Sequence, residues 1–594
     1  MKAIWVRRLS AALLATAPLW AGDVVAAPVK VLHDILNAAE TGFDPATVQD
    51  TISNEITEAI FEPLYTYDYL ARPARLVPAA ATALPDISAD GKTYTIHLKK
   101  GQLFAPDAAF GGKARELTMA DYVYSWKRLM DPKLGSPHSW LFEGKVVGLD
   151  ALAQAAAKTG QFNYDSKVAG FEVVDPYTLR IHLTRPDFNL GMILAHEPTA
   201  AVAREVVRKY GDNKGEVASN PVGTGFYKLA EWTRGSKIVL DENTGHLPTY
   251  WHFTAGSDPD DQRIVRQMDG KRMPQIGRIE LHVMTESQSR WLAFASGESD
   301  LLWLEGDLAP KALTGGKLRP ELLAKGMSLS RLIDPEINYV YLNMRDPVVG
   351  GFSKEKLALR RAIGLAYNID DELQVVQNGQ AARLEYPIPP GVVGYDPDYR
   401  SSIQYDPVLA NKLLDQYGYK KGADGFRTLP DGKPLLIHFA SRNDNSGQLQ
   451  AEFWRKVYLT IGIRMVSDRL LFSDILKAEK ECKLQSRTDT WIADYPDGDD
   501  FMQTFYGPNI HQANNSCYQN PAFDKLYEAS QRLRDGPERN ALYHQMARQI
   551  EVDSGILMAY GRYRNILVQK GVLGYKKHPI LLQEWKYIDL DRSH

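Results

Sequence analysis

A short stretch near the carboxyl end of the chain combines an aromatic residue, carboxylates and a turn. Its sequence is Trp491-Ile492-Ala493-Asp494-Tyr495-Pro496-Asp497-Gly498-Asp499-Asp500-Phe501. A carboxylate beside an apolar wall can pair with an ammonium group that has lost its water, because a charge-assisted hydrogen bond offsets the cost of desolvation. Ala493 leaves the approach to Asp494 open, and Trp491 can form the wall. The stretch predicts capture of a small cationic group, such as an amino terminus, rather than conversion of a substrate.

Two other chemistries are open to the four carboxylates Asp494, Asp497, Asp499 and Asp500. Hard cations such as Ca²⁺ prefer oxygen ligands, but the spacing is not that of an EF-hand loop, and Pro496 restricts the backbone. A solvated acidic turn is the preferred interpretation, and no metal site is predicted. Asp494 and Asp497 could also serve as the paired carboxylates of an exported hydrolase, although such a pair alone is a weak signal.

Catalytic signatures are missing from the sequence. It contains no HExxH, GxSxG or GxxxxGK[ST] motif, which mark zinc proteases, serine hydrolases and phosphate-binding loops. The 13 histidines are scattered along the chain. We therefore predict a protein that is not an enzyme and that needs no cofactor.

Composition indicates a large globular protein. A chain of 594 residues exceeds what one hydrophobic core serves, so two or three domains are expected. Hydrophobic residues make up 44% and charged residues 24% of the chain, and the net charge is −3. No basic stripe of the kind that binds nucleic acid is present, so a nucleic-acid partner is not predicted.

The amino end has the pattern of a secretory signal peptide. Lys2, Arg7 and Arg8 precede an apolar run from Leu9 to Trp20, and small residues follow at 21–27. This run is too short for a stable membrane span. We predict a signal peptide over residues 1–26, with no lipid anchor, since no cysteine lies near the cleavage site. The mature protein is expected to be soluble in a bacterial periplasm.

The only two cysteines, Cys482 and Cys517, are predicted to form one disulfide in that oxidising compartment. Two buried thiols are the alternative. Either way the pair flanks the Trp491–Phe501 stretch.

Regular elements alternate along the chain and indicate an α/β protein. Residues 93–98 and 178–183 alternate polar and apolar side chains and predict two half-buried strands. Residues 119–130 predict a helix capped by Thr118. Residues 256–262 are predicted to be irregular.

Six motifs follow one another along nearly the whole mature chain in the order found in one protein family. They are Phe43–Pro45, Ala59–Leu64, Tyr122–Arg128 with the Asp131-Pro132 and Ser136-Pro137 pairs, Pro221–Leu229, Leu359–Asp370 and Trp491–Tyr495. With these motifs the chain resembles the periplasmic oligopeptide-binding proteins, in the peptide/nickel/opine solute-binding family (family 5) of ABC importers.

The resemblance implies a periplasmic binding protein type II-like fold, with two lobes that close by a hinge motion and an extra inserted domain. Domain I would be discontinuous, because domains II and III interrupt it. The implied boundaries are 1–26 for the signal peptide, 27–64, 206–334 and 561–594 for domain I, 65–205 for domain II, and 335–560 for domain III.

The resemblance also implies a role for individual residues. In peptide-binding members, the aspartate that matches Asp494 pairs with the α-ammonium of the ligand. Trp491, Ala493 and Tyr495 would lie beside it, and Glu62 matches a position that lines a side-chain pocket. Such proteins bind the main chain of a peptide much as a sheet accepts a further strand. The expected partners are a peptide and the permease of an ABC importer, and the expected state is a monomer.

Other ligands and roles stay open at this point. The same fold could bind haem, a metal chelate, an opine or an oligosaccharide, and a periplasmic chaperone could use the same cleft. The chain also departs from one member of the family. Ile492 stands in place of a disulfide cysteine, Thr488 in place of an arginine, and His138 in place of an aromatic residue. The last two changes leave the preferred ligand length open.

Overall fold

Three β-sheets of four or more strands organise the chain in the computed structural model, which describes residues 29–306 and 308–592. The predicted signal peptide lies outside the described residues. The first sheet has the strand order Val31–Leu36, Arg278–Val283, Lys237–Glu242, Tyr227–Thr233, and the second has the order Asp86–Ile87, Thr93–His97, Thr178–His182, Phe171–Asp175.

The third sheet is the largest and contains the strand that leads to Asp494. Its strand order is Leu301–Trp303, Ile556–Val568, Glu336–Leu342, Ser486–Ile492, Leu436–Arg442, Arg464–Leu470, and the strands Ser328–Ile333 and Ala381–Arg383 also pair with Ile556–Val568. Short two-stranded pairs are Tyr65–Tyr67 with Leu76–Pro78, Thr249–Tyr250 with Arg272–Met273, Leu313–Thr314 with Lys317–Leu318, and Val572–Leu573 with Asp589–Leu590.

Helices alternate with these strands, which confirms the predicted α/β class. The α-helices are Thr51–Ile60, Met119–Leu129, Leu149–Thr159, Leu190–Ile193, Arg204–Tyr210, Pro259–Met268, Ser287–Ser296, Ala309–Ala312, Pro320–Ala324, Lys354–Ala366, Ile369–Val375, Pro407–Gln416, Asn445–Thr460, Phe472–Lys480, Gly498–Met502, Pro521–Ser530 and Pro537–Asp553. Short 3₁₀ turns are Ala108–Phe110, Ser139–Leu141, Glu197–Thr199, Gln503–Phe505, Gly507–Asn509 and Trp585–Tyr587. None of the helices in residues 29–306 and 308–592 has the length and apolar character of a transmembrane span.

Local sequence signals placed several elements correctly. The helix Met119–Leu129 begins after Thr118, whose backbone N–H and hydroxyl group each donate to the Asp121 carboxylate at 2.9 Å. The two predicted strands at 93–98 and 178–183 pair with each other in the second sheet. The expectation of an irregular segment at 256–262 is wrong from Pro259 onward, because the Asp258 side chain accepts from the Asp260 N–H and starts a helix there.

The strand Ile556–Val568 crosses the predicted boundary between domains III and I. Its first part pairs with Glu336–Leu342, and its last part pairs with Ser328–Ile333 and Leu301–Trp303. The predicted domains III and I therefore share one continuous strand. The domain boundaries themselves stay a prediction.

Cys482 and Cys517 form a disulfide, as predicted, with their Cα atoms 6.1 Å apart and a sequence separation of 35. Cys517 is 1% exposed. The loop that the bond closes contains the strand Ser486–Ile492 and the whole acidic stretch. The disulfide therefore restricts the part of the chain that carries Asp494.

We predict that the double variant C482S/C517S loses stability. Closing a loop of this length restricts the unfolded chain, and the chain-entropy relation gives a loss of about 3–4 kcal/mol in the free energy of unfolding. Guanidinium denaturation of both proteins measures it. Reduction should lower the midpoint of the wild type and leave that of the variant unchanged; equal midpoints for the oxidised wild type and the variant would contradict the prediction.

Candidate ligand-binding site

A central cavity of about 240 Å³ lies where the predicted domains I, II and III meet. Cavities at domain interfaces are the usual place for a ligand. The segments that line this central cavity are the helix Thr51–Ile60, residues 61–63 and 66–67, residues 195–197, residues 225–226, residues 492–494, residues 580–582 and Lys586. A single ligand in it would touch all three predicted domains.

Another cavity of similar volume, about 230 Å³, lies among residues 364–405 and 547–558. All of its lining residues belong to the predicted domain III, and Asp494 is not among them. The central cavity is the candidate ligand site because it joins the predicted domains and contains Asp494.

Backbone hydrogen bonds fix the position of Asp494. The strand Ser486–Ile492 pairs along its whole length with Glu336–Leu342 and ends at the cavity wall. The Ala493 N–H then donates to the Pro335 carbonyl at 2.9 Å, and the Asp494 N–H donates to the Asp500 carboxyl at 2.8 Å. These two bonds hold the main chain at residues 493 and 494, so the Asp494 carboxyl has a defined place on the wall.

The carboxylates that follow Asp494 are buried, so the expectation of a solvated acidic turn is wrong. Asp497, Asp499 and Asp500 are 0%, 6% and 0% exposed. Each of them accepts hydrogen bonds: Arg539 and Tyr543 donate to Asp497, Tyr527 and the nearby Tyr495 to Asp499, and the nearby Gln503 to Asp500. Across residues 29–306 and 308–592, no group of three or more histidine, cysteine or acidic side chains is arranged to hold a metal ion.

A contact between the predicted domains II and III lies beside this loop. The Asn189 amide donates to Asp497 and to Asp499, at 3.3 Å in each case, and all three side chains are buried. Nearby, the Arg534 guanidinium lies 4.7 Å from the centre of the Phe188 ring. The two domains are therefore in direct polar contact outside the central cavity.

Asp494 and Asp500 form a pair of neighbouring carboxyls. Burial raises the pKa of Asp494 to about 7. Burial, together with the negative charge of Asp494, raises the pKa of Asp500 well above its usual range. Asp500 also accepts the Asp494 N–H and lies at 0% exposure, whereas Asp494 keeps partial access to solvent. Asp494 is the member of the pair that a ligand can reach.

Glu62 faces the same cavity but already has partners. The His246 ring nitrogen Nε2 lies 3.2 Å from one carboxyl oxygen, and the Gln102 amide donates to the other at 3.4 Å. Burial alone would raise the pKa of Glu62, but the adjacent His246 lowers it below the ordinary value. His246 in turn stacks on Phe226 with ring centres 3.9 Å apart.

The structure separates the five residues that the sequence singled out. Ala493, Asp494 and Glu62 line the central cavity. Trp491 does not line it and packs against the apolar cluster around Phe501. Tyr495 is 2% exposed and lies in the core of the predicted domain II. Trp491 and Tyr495 therefore anchor the loop in apolar clusters and do not line the cavity.

Sequence reasoning missed four charged or titratable residues on the cavity wall, namely Glu58, His196, Glu197 and Lys586. Glu58 lies in the last turn of the helix Thr51–Ile60, four residues before Glu62, so its closeness in sequence to a predicted site residue was a usable signal for it. The other three come from segments far apart in sequence, and no local pattern connects them.

Comparisons with known proteins identify the family of the chain. Residues 75–512 match the model of the family described as bacterial extracellular solute-binding proteins, family 5 Middle. The chain is 25% identical to the periplasmic oligopeptide-binding protein OppA of Escherichia coli (strain K12), over 95% of this chain and 94% of OppA. It is 24% identical to di/tripeptide-binding protein 2 of Pseudomonas aeruginosa, over 98% of this chain and 99% of that protein.

A solved structure shares the fold. The periplasmic binding protein DppA of Helicobacter pylori, in complex with the peptide STSA, superposes with a TM-score of 0.71 at 23% identity, over 95% of this chain and 98% of that one. The chain belongs to the family 5 extracellular solute-binding proteins and has their two-lobed α/β fold. This confirms the predicted family and fold class.

We predict that Asp497→Ala destabilises the protein and loosens the Asp494 loop. Arg539 is 3% exposed and donates to Asp497 at 2.6 Å, so the variant removes its buried partner and leaves only the exposed Asp535, 3.4 Å away. Loss of one partner of a buried pair costs about 3–5 kcal/mol. Chemical denaturation measures the loss. Asp398→Asn, at an exposed position, is the matched control and should unfold like the wild type; an Asp497→Ala variant as stable as this control would contradict the prediction.

Proposed function

We propose that the protein is the periplasmic substrate-binding component of an ABC importer and that it binds oligopeptides in the central cavity. Asp494 pairs with the α-ammonium of the peptide. Ala493 forms the wall beside it, and Glu62 lines the neighbouring side-chain space. Trp491 and Tyr495 act indirectly, by holding the loop that carries Asp494.

One observation carries this proposal. Within the described residues, the Asp494 carboxyl has no hydrogen-bond donor, and desolvation is the one cause that raises its pKa. Its neighbours Asp497, Asp499 and Asp500 all have donors. A partly buried carboxyl that keeps access to a cavity and lacks a cation is suited to bind one from a ligand. Relatives whose names record peptide binding support the choice of an amino terminus.

The role in transport follows from the family and from the amino-terminal sequence. Family 5 proteins are extracellular solute-binding proteins, and the signal pattern of residues 1–26 supports export to the periplasm. The protein would act as a monomer that closes its lobes over a peptide and delivers it to a membrane permease. Lobe closure would exclude water from the ammonium–carboxylate pair and strengthen it.

Two alternatives receive less support from the site. A hydrolase with Asp494 and Asp497 as paired carboxylates would need both groups free, but Asp497 is bonded to Arg539 and Tyr543. A non-peptide ligand such as haem, a metal chelate, an opine or an oligosaccharide would have to offer a cation to Asp494, and a free peptide does so at its amino end.

We predict that Asp494→Asn folds but loses peptide affinity. Removing one partner of a buried charge pair costs about 2–5 kcal/mol of binding free energy. Calorimetry with trialanine measures the affinity, and N-acetylated trialanine, which lacks the ammonium group, should bind the wild type as weakly as trialanine binds the variant. The melting temperature of the empty variant should not fall, because the amide replaces a carboxyl whose ionised form is desolvated. Unchanged trialanine affinity would overturn the role of Asp494.

We predict a bell-shaped dependence of trialanine affinity on pH. Asp494 must be ionised, and its pKa is raised to about 7 in the empty protein, so affinity should fall as the pH drops below 7. The ligand amine must be protonated, and its pKa lies at about 7.7–8.0, so affinity should also fall above pH 8. Calorimetry from pH 5 to pH 9.5 checks this. In Asp494→Asn the acidic limb should disappear; a wild-type profile that is flat from pH 5 to pH 7 would contradict the assignment.

A further inference from the structure

Glu197 is a buried carboxyl on the wall of the central cavity that has no partner. It begins the 3₁₀ turn Glu197–Thr199 and is 6% exposed. Within residues 29–306 and 308–592, neither of its carboxyl oxygens takes part in a hydrogen bond. The nearby Thr57 hydroxyl lowers the pKa of Glu197 against the larger effect of burial, but its hydrogen bonds are to the Ser53 and Asn54 carbonyls, at 3.2 and 3.1 Å.

Glu58 lies on the same wall and is only half satisfied. One of its carboxyl oxygens accepts the Leu582 N–H at 2.8 Å, and the other has no partner among the described residues. Glu58 is close enough to Glu197 for its negative charge to raise the pKa of Glu197. Burial raises the pKa of Glu58 to about 7 and that of Glu197 well above its usual range.

The cations around the cavity do not balance its carboxyls. Glu62 is paired with His246. Lys586 interacts with Glu58 and Glu62 and lies over the Phe226 ring at 5.3 Å. His196 is half-buried on the cavity wall beside His138. Desolvation, with a smaller effect of His138, lowers the pKa of His196 to about 3, so the ring is uncharged.

Asp494 and Glu197 therefore remain without a cation of their own on the same cavity wall. One ammonium group on a ligand can pair with only one of these two carboxyls. Glu197 has no donor among the described residues, so a second cation would have to come from the ligand. An unpaired buried carboxyl is costly unless it is protonated or bound.

We propose that Glu197, with Glu58 beside it, is a second cation-binding subsite and that the protein selects peptides carrying a basic side chain in addition to the free α-ammonium. This inference rests on the proposed function, since Asp494 takes the amino end. A lysine or arginine side chain entering the central cavity donates to Glu197 and supplies the missing charge. Peptides with an apolar side chain at that place leave Glu197 unpaired and bind more weakly.

Calorimetry with matched tripeptides tests the proposal. The set consists of trialanine and its variants with lysine at position one, two or three, each compared with a norleucine peptide of the same length that lacks the charge. We expect at least one lysine peptide to bind about tenfold or more tighter than its norleucine counterpart, as for a hydrogen bond between charged groups. Glu197→Gln should reduce the ratio of lysine-peptide to norleucine-peptide affinity to about one. The affinity for the norleucine peptide should stay within about twofold of the wild-type value, since the amide keeps the shape of the carboxyl.

Controls separate this inference from the proposed function. Glu143→Gln, at an exposed glutamate outside the cavity, should retain the full lysine preference. Glu58→Gln should reduce the preference and serves as the test if Glu197→Gln does not fold. Binding of all the peptides with equal affinity for lysine and norleucine would overturn the second subsite alone, as would a preference that survives Glu197→Gln. Failure of every peptide to bind the wild type would overturn the proposed function.

Discussion

The buried ion pair between Asp497 and Arg539 is the constraint on which the proposed binding site depends. Arg539 comes from the helix Pro537–Asp553, 42 residues later in the chain, and an unpaired charge at either position would be costly. Asp497 also starts the helix Gly498–Met502 by accepting the Asp499 N–H. Asp500 in that helix then accepts the Asp494 N–H. The orientation of Asp494 is thus set by a contact that Asp494 does not itself make.

The carboxyls around the cavity fall into two groups with different consequences. Asp497, Asp499 and Glu62 have protein donors, so they hold the structure together and gain nothing from a ligand. Asp494 and Glu197 lie on the cavity wall without donors among the described residues, so they are the two carboxyls that we propose to pair with cations of the ligand. Burial without a partner is tolerated at these two places because each carboxyl can bind a proton when the cavity is empty.

Local signals in the sequence were enough for the elements and for part of the site. Thr118 and Asp121 mark the start of one helix within four residues, and the motif around Asp494 identified the loop that reaches the cavity. The burial of the acidic loop could not be predicted in this way, because its donors come from residues 527, 539 and 543 on other helices. Glu197 could not be predicted for the same reason. Its distinguishing property is a buried carboxyl without a partner among the described residues, and this depends on packing between segments that are distant in sequence.

The contact between Asn189 and the acidic loop affects the thermodynamics of the site as a whole. It joins two predicted domains and lies apart from the central cavity, so the free energy that it contributes to holding them together is the same for every ligand. Any such contact shifts the equilibrium between open and closed forms and thereby scales all affinities by one common factor. A substitution at position 189 would therefore change the affinity for every ligand by the same factor. The proposed selectivity among ligands depends separately on residues inside the cavity.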